Sequence, residues 1–308
     1  KVSSNVKKKD VVDLLDQEMN RFSISTKEKT KSKLPAVMLK HYDVPEYIYN
    51  QLEKVDFEKE AEFTKKREEL THGDYIYTCT QKIIETCDES GYGLCCSDDM
   101  IYLFNGEYWR QFPLPAFQNF MGKSAVKMGV KKSLGNIYYF KEQLAKQFMS
   151  VAIKNDFEDD SAGCDKALVN LKNGTFEISN QGLRLRRPCK DDFLTYQLNF
   201  EYNEKVKCPL FDKFLDRVLP DKTLQMILAE YIGYLFIKTE DLKLEKVLLL
   251  YGSGANGKSV VFEIVYALLG GKANVSNFSL ENLTNANGYY RAMLGGKLLN
   301  YSTEINGD

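Results

Sequence analysis

The sequence lacks any hydrophobic run long enough to cross a bilayer. Its longest apolar stretches, residues 247–251 and 260–269, are well short of the roughly 20 residues that a membrane-spanning helix needs, and Glu263 interrupts the second. A secretory signal is also lacking, because residues 1–10 are polar and rich in lysine. These absences exclude the membrane-spanning and signal-bearing classes, and we expect a soluble protein.

The sequence has almost no net charge. Its 42 Lys and Arg residues oppose 43 Asp and Glu residues, which leaves a net charge of -1. No overall basic field therefore indicates nucleic acid, and any such site must be local. With 308 residues, of which 44% are hydrophobic, the chain can build a sizeable core, and global disorder is excluded. The length predicts two domains, or one large domain with an extension.

Metal-ligating patterns are scarce. The chain has two histidines and seven cysteines, an odd number, and no CxxC pair. A zinc site built from His72, Cys79, Cys87 and either Cys95 or Cys96 is an alternative, but these spacings match no common set of zinc ligands. We favour buried free thiols, which are typical of a reducing compartment such as the cytoplasm.

The first 89 residues are predicted to form a basic and helical N-terminal extension. Residues 1–40 contain ten Lys and Arg against five Asp and Glu, with a short amphipathic run at residues 11–15. From residue 45 to residue 87 the apolar positions recur at helical spacing among many Glu and Lys residues. This pattern predicts two or three solvent-facing helices. The absence of an initial Met suggests that the chain is a fragment.

Residues 90–207 are predicted to form an α+β domain with two hairpins. The pairs Asn105-Gly106 and Asn173-Gly174 each lie between apolar runs, a pattern typical of two-residue turns in which both residues have positive φ. Residues 117–149, between the hairpins, predict mainly helix.

Residues 110–150 are the most basic region, with seven Lys and Arg and one acid, Glu142. Lysines that alternate with exposed aromatic rings are typical of single-stranded DNA binding. The alternative is a solvated helix face with tyrosines in the core. The candidate residues are Lys123, Lys127, Lys131, Lys132, Lys141, Tyr138 and Tyr139.

Residues 208–245 are predicted to be a helical lead-in of two helices, divided at Pro220. Residues 246–251 then form a continuous apolar run of strand length, as expected for a strand buried on both faces.

A glycine-rich segment that fits the phosphate-loop pattern G-x-x-x-x-G-K-[ST] follows this strand and precedes a helix-like run. Such glycines let backbone N–H groups surround phosphates, and the following helix adds partial positive charge. The pattern predicts a nucleoside triphosphate and Mg²⁺ as ligands, with the lysine on the β and γ phosphates and the serine hydroxyl on the metal. The residues are Gly252, Ser253, Gly254, Ala255, Asn256, Gly257, Lys258 and Ser259.

Two further features complete the ATP-site prediction. A second Gly-Lys-Ser, at residues 122–124, lacks the earlier glycine and lies in a helical region, so we do not assign it to phosphate binding. Residues 297–304 predict a strand that ends in Glu304, the acid that an ATPase needs to hold the metal or activate water. The alternative for Glu304 is a surface residue in a loop.

With these motifs, the chain resembles the superfamily-3 helicases of the phage and plasmid primase-helicase group, which is related to the poxvirus primase-helicase. The resemblance covers roughly residues 90–308 and is strongest from residue 167; it does not place residues 1–89. The segments that carry it are residues 256–259, 232–235 and 172–175, Cys208-Pro209, and Arg291-Ala292 ahead of Gly296-Lys297.

The resemblance implies an ATPase of the AAA+ class that forms a ring, expected to be hexameric, and moves along single-stranded DNA during replication. It implies that residues 246–308 begin an α/β phosphate-loop domain, with residues 252–259 as the Walker A loop and Glu304 as the Walker B acid. Ser259 and Glu304 would hold Mg²⁺. Thr303 stands where many relatives have a second acid, which favours Glu304 as the base.

The sensor asparagine, the DNA-binding hairpin and the arginine finger of this group are expected beyond Asp308. We therefore expect this chain alone to bind or hydrolyse nucleotide poorly and not to unwind DNA. A primase module is a possible partner, although two histidines provide no primase metal site. Two alternatives stay open. One is another phosphate-loop ATPase or kinase, and the other is a DNA-docking or oligomerisation module whose ATPase segment is inactive.

Overall fold

A computed structural model describes residues 35–60, 69–154, 166–237 and 245–302 of the chain. These residues divide into two compact units. The first unit contains the described residues up to 154 together with residues 188–196. The second contains residues 166–187 and the described residues from 197 onward. The helix predicted near residues 11–15 and the candidate acid Glu304 lie outside the described residues.

The first unit combines helices with one antiparallel sheet, in the order β1-β2-β3. Its strands are β1 (Gly93–Ser97), β2 (Met100–Phe104) and β3 (Trp109–Gln111). Its α-helices are α1 (Val44–Gln51), α2 (Phe57–Glu60), α3 (His72–Glu89), α4 (Leu114–Met128), α5 (Lys132–Gly135) and α6 (Tyr138–Val151). The predicted α+β character of this region is confirmed.

The core of the first unit draws on helices from both sides of residue 90. Ile48 of α1 and Ile83 of α3 are buried in the same cluster as Phe117 of α4 and Phe148 of α6, whose rings lie 4.7 Å apart. The prediction that residues 45–87 form helices is confirmed. Their description as solvent-facing is wrong for one face, because their periodic apolar residues are core residues. The predicted boundary between residues 89 and 90 falls inside this unit.

The first predicted hairpin forms, but its loop has four residues instead of two. Phe104 pairs with Trp109, so residues 105–108 connect β2 and β3. Only Gly106 within this loop has a positive φ, of 98°. The Asn105 carbonyl oxygen Oδ1 accepts the backbone N–H groups of Glu107 and Tyr108, both at 3.1 Å. Asn105 therefore closes the loop with its side chain, and a left-handed backbone is not required of it.

His41 is buried in the first unit, where its Nε2 lies 2.9 Å from the Tyr108 carbonyl oxygen. Burial lowers the pKa of His41 from 6.5 to about 4; the nearby charge of Arg110 contributes in the same direction, and the contact with Tyr108 opposes it. The unfolded chain therefore binds the proton at a higher pH than the folded unit does.

We expect this unit to lose stability as the pH falls from about 6.5 to 4, because only unfolding frees His41 to take up a proton. A shift of this size corresponds to at most about 3 kcal/mol. Urea titrations followed by the fluorescence of the single tryptophan, Trp109, report on this unit directly. His41→Gln should lose less stability than the wild type over that interval. Parallel losses in the two proteins would contradict the assignment to His41.

The second unit contains a three-stranded antiparallel sheet, several helices and a short parallel strand pair. The antiparallel strands are β4 (Lys166–Leu171), β5 (Gly174–Ser179) and β6 (Gly182–Arg186), and the parallel pair is β7 (Val275–Ser276) with β8 (Leu299–Asn300). Its α-helices are α7 (Pro209–Val218), α8 (Lys222–Tyr234), α9 (Lys258–Leu268), α10 (Leu280–Thr284) and α11 (Tyr289–Ala292).

The second predicted hairpin joins β4 and β5, with Lys172 and Asn173 as its two loop residues. The positive φ falls on Gly174, at 142°, and on neither loop residue, which corrects the predicted turn. Asn173 instead uses its side chain, which donates to the Tyr202 carbonyl and accepts from the Tyr202 N–H, both at 2.9 Å. A Cβ at Gly174 would also collide with the carbonyl oxygen of Arg186, so only glycine fits there.

The two helices predicted for residues 208–237 are confirmed as α7 and α8. The strand predicted at residues 246–251 is not formed among the described residues, and the prediction that it is buried on both faces is wrong. Val247, Leu249 and Tyr251 are 83%, 62% and 93% exposed, while Leu248 and Leu250 pack on the core of this unit. No described strand pairs with this segment, so alternate side chains face solvent. Strand β8 pairs with β7 and not with residues 246–251.

Six cysteines lie among the described residues, and all six are free. Cys79, Cys87, Cys95, Cys96 and Cys189 are buried, whereas Cys208 is exposed. Burial raises the pKa of Cys79 to about 12, so its thiol stays protonated and is a poor metal ligand. The part of the chain that the structure describes contains no cluster of three or more His, Cys, Asp or Glu residues that could hold a metal, and no helix there is long and apolar enough to cross a membrane.

Candidate functional site

The loop of residues 252–259 has the backbone that its sequence predicts. Three of its residues have positive φ: Gly252 at 157°, Ala255 at 58° and Gly257 at 86°. Helix α9 begins directly after Gly257, which provides no side-chain cap. The first N–H groups of α9 therefore have no side-chain partner from the cap position and are placed to bind an anion.

Lys258 lies at the first position of α9 and turns back into the loop. Its Nζ donates to the carbonyl oxygens of Gly252 and Ser253, both at 2.9 Å, and to Oδ1 of Asn256 at 2.8 Å. A flexible lysine is thereby held by two backbone carbonyls and one side-chain amide of the loop. Ser259, the next residue, is exposed at the start of the helix. The loop consequently places an ammonium group and a hydroxyl beside uncapped N–H groups.

Close packing constrains two glycines of the loop. A Cβ at Gly257 would lie 2.9 Å from Cγ1 of Val218 in helix α7, and a Cβ at Gly252 would collide with the amide of Asn256. A Cβ at Gly254 would meet no atom within 4 Å, so this glycine lies on the open side of the loop. The cradle is thus shaped by the absence of side chains, which suits the close approach of a phosphate group.

The hydrophobic core next to the loop of residues 252–259 includes residues of α9 and of the parallel strand pair. Val261 and Val265 of α9 are buried together with Leu228 of α8 and Val275 of β7. Tyr301, which follows β8, stacks on Phe262 of α9, with ring centroids 3.8 Å apart. The chain that leads toward Glu304 therefore runs beside the first turns of α9. Glu304 itself is outside the described residues, so its predicted place near Lys258 stays a prediction.

The structure separates the lysines of the basic region into two groups. Lys127 is engaged inside the protein, where its Nζ donates to the carbonyl oxygens of Tyr49 at 2.6 Å and Asn50 at 3.0 Å and lies over the Tyr49 ring. The interpretation of Lys127 as a phosphate contact is therefore wrong, because the lysine already binds the end of helix α1. Lys123, Lys131 and Lys132 are exposed.

The second Gly-Lys-Ser lies inside helix α4, as its sequence context predicts. Gly122 is buried, and a Cβ there would lie 2.7 Å from the carbonyl oxygen of Gly135 in α5. Gly122 thus allows α4 and α5 to pack closely, and residues 122–124 form part of a helix and not a loop that could receive a phosphate.

A buried charge cluster in the second unit was not anticipated from the sequence. Glu177 of β5 is 4% exposed and binds Arg184 and Arg186 of β6, each at 2.7 Å. Burial opposes ionisation of this carboxyl, but the two guanidinium groups outweigh it and lower the pKa of Glu177. The alternation of residues 183–186, Leu-Arg-Leu-Arg, is the signal that would have predicted β6. The cluster holds the β5-β6 pair together.

Part of the chain matches a known protein family. Residues 81–220 match the family model described as D5 N terminal like. This family is found in phage and viral primase-helicase proteins, so residues 81–220, here called the D5-like segment, support the predicted relation to the primase-helicase group. The match begins before the predicted start at residue 90 and ends ahead of the loop of residues 252–259.

The D5-like segment covers less than half of the chain and includes parts of both compact units. No curated protein matches the chain. The relation of the chain to DNA replication thus rests on the D5-like segment, whereas the phosphate-loop chemistry rests on residues 252–259 alone.

Proposed function

We propose that the chain is part of an ATP-dependent DNA helicase of the superfamily-3 type that acts in phage, plasmid or viral replication. The observation that carries the proposal is the loop of residues 252–259, which has a left-handed backbone at Gly252 and Gly257 and presents Lys258 at the start of α9. The D5-like segment that precedes this loop supports a replication role.

The residues of the loop fit ATP with Mg²⁺. When bound, the nucleotide supplies a phosphoryl group and the metal neutralises its charge. The backbone N–H groups around Gly257 bind phosphate oxygens, and the Ser259 hydroxyl binds the metal. Lys258 exchanges its present acceptors, the carbonyls of Gly252 and Ser253, for phosphate oxygens. Glu304 would accept a proton from the attacking water, and Thr303 would not provide a second acid.

In this proposal, the chain works in a homo-oligomeric ring on single-stranded or forked DNA, together with a primase module. The exposed side chains of Val247, Leu249 and Tyr251 support further contacts in the assembled protein, because apolar surface of this kind is usually covered. The D5-like segment supports the relation to DNA and to assembly.

ATP binding and ATP hydrolysis, measured separately, test the proposal. We expect the wild-type complete protein, of which this chain is a part in this proposal, to bind ATP saturably in the presence of Mg²⁺. Glu304→Gln should bind ATP with similar affinity but hydrolyse it about 100- to 10,000-fold more slowly, because the amide cannot accept the proton of water. Single-stranded DNA should stimulate ATP hydrolysis by the wild-type protein. Wild-type turnover by Glu304→Gln would show that another residue is the base, and absent ATP binding by the wild type would contradict the proposed function.

A further inference from the structure

One surface of the first unit combines free lysines with exposed aromatic rings. We call it the lysine-tyrosine surface and define it by Lys123 of α4, Lys131 and Lys132 at α5, and Tyr138 and Tyr139 at the start of α6. Tyr138 is 79% exposed and Tyr139 is 56% exposed. The three lysines are exposed as well.

Close packing of three helices brings these residues together. The position of a Cβ on Gly122 of α4 lies 2.7 Å from the carbonyl oxygen of Gly135 in α5 and 2.8 Å from the side chain of Lys141 in α6. The Lys141 Nζ also lies 3.5 Å from Oδ1 of Asn119 in α4. Because α4, α5 and α6 meet at Gly122, Gly135 and Lys141, these exposed lysines and tyrosines lie on neighbouring helices of the first unit.

The charge of this surface is positive and uncompensated. Lys123, Lys131 and Lys132 form no salt bridge within the described ranges. Glu142, the single acid of residues 110–150, binds Lys146 at 2.9 Å and so does not neutralise them. A polyanion fits such a surface, because each lysine that binds a phosphate releases a condensed counterion.

The tyrosines identify which polyanion fits. Neither Tyr138 nor Tyr139 stacks on another ring of the described residues, although many other aromatic rings of this unit do so. Burying these rings against a partner is favourable, and an unstacked base offers a flat face of matching size. The bases of a duplex are already stacked and are not free to pack on such rings.

We propose that the lysine-tyrosine surface binds single-stranded DNA, with Lys131 and Lys132 on the phosphates and Tyr138 and Tyr139 under the bases. The choice of DNA over RNA rests on the proposed replication function; the single-stranded character rests on the tyrosines. This contact lies in the first unit and requires neither ATP nor the loop of residues 252–259.

Binding of a fluorescent oligothymidylate to the whole chain, without nucleotide, tests the proposal at salt concentrations between about 50 and 200 mM. The double variant Lys131→Gln with Lys132→Gln should bind more weakly. The plot of log affinity against log salt should also become less steep, its negative slope decreasing in magnitude by about 1.4, which corresponds to two lost phosphate contacts. Tyr138→Ala with Tyr139→Ala should weaken binding at least about tenfold and leave the slope unchanged.

Matched controls come from the same unit. Lys54→Gln with Lys59→Gln removes two exposed lysines elsewhere, and Tyr42→Ala with Tyr77→Ala removes two tyrosines that are 70% and 59% exposed. Both control proteins should bind as the wild type does. All variants should show the wild-type unfolding transition of Trp109, since only exposed side chains are changed.

Four results would overturn the proposal: no DNA binding by the wild type, wild-type affinity and slope in both surface variants, equal losses in the control variants, or tighter binding of a duplex or an RNA of the same sequence. Failure of ATP binding, by contrast, would contradict the proposed ATPase function and leave this DNA contact in place. The two proposals therefore fail in different experiments.

Discussion

Replacing Lys258 with alanine in the complete protein is expected to weaken ATP binding about 10- to 100-fold and to slow ATP turnover by a further factor of about 100 or more. The lysine is the one side-chain cation that the structure holds inside the loop of residues 252–259, within 2.9 Å of three oxygen atoms. A hydrogen bond to a charged group contributes about 1.5–3 kcal/mol, and a donor to the transferred group contributes more in the transition state. Calorimetric titration with ATP and a phosphate-release assay measure the two effects.

Lys272→Ala is the matched control, because Lys272 is exposed in the same unit and lies outside the loop. This variant should bind ATP as the wild type does. If Lys258→Ala also bound ATP normally, the alternative function would be favoured. In that case the chain would serve to dock DNA or to order an assembly, and the loop would be inactive.

Replacing Phe148 with alanine is expected to lower the free energy of unfolding of the first unit by about 3–5 kcal/mol. Phe148 is fully buried on α6, and its ring packs 4.7 Å from that of Phe117 on α4. Its loss removes buried apolar surface and leaves a cavity that the surrounding helices fill only in part. Urea unfolding followed by Trp109 fluorescence measures the change.

Tyr138→Ala, ten residues earlier on the same helix, is the matched control. Because the Tyr138 ring is 79% exposed, its removal should change the free energy of unfolding by less than about 0.5 kcal/mol. The two variants thus separate stability from DNA binding, since Phe148→Ala affects the core and Tyr138→Ala affects the lysine-tyrosine surface. Similar stability losses in both would contradict this placement of the two rings.

Local patterns predicted the secondary structure well where a few neighbouring residues decide it. Helix α7 begins at Pro209 and ends before Pro220, and α8 begins after Pro220, because proline favours the first turn of a helix and cannot continue one. The Asn-Gly pairs predicted both hairpins correctly. The details of the turns were wrong, because Asn105 and Asn173 use their side chains to bind the backbone, an option that a sequence pattern does not distinguish from left-handed turns.

Long-range contacts were not predictable from such patterns. Lys127 has the same local sequence character as Lys131, yet it binds carbonyl oxygens of α1 more than 70 residues away. Apolar residues at helical spacing in residues 45–87 predicted helices but did not reveal that these helices contribute to the core of the first unit. The apolar run of residues 246–251 predicted a strand, but no strand among the described residues pairs with it.

The sequence by itself determined the conformation of the loop of residues 252–259, because its glycines, its lysine and the helix that follows interact over only eight residues. Only the tertiary structure decided which lysines are exposed, since the contacts of each lysine depend on groups far away in the chain. Lys127 is bound to α1, whereas Lys131 and Lys132 remain exposed beside Tyr138. Tertiary packing likewise left Tyr138 and Tyr139 outside the core, because α6 buries its opposite face, with Phe140, Leu144 and Phe148, against α3 and α4.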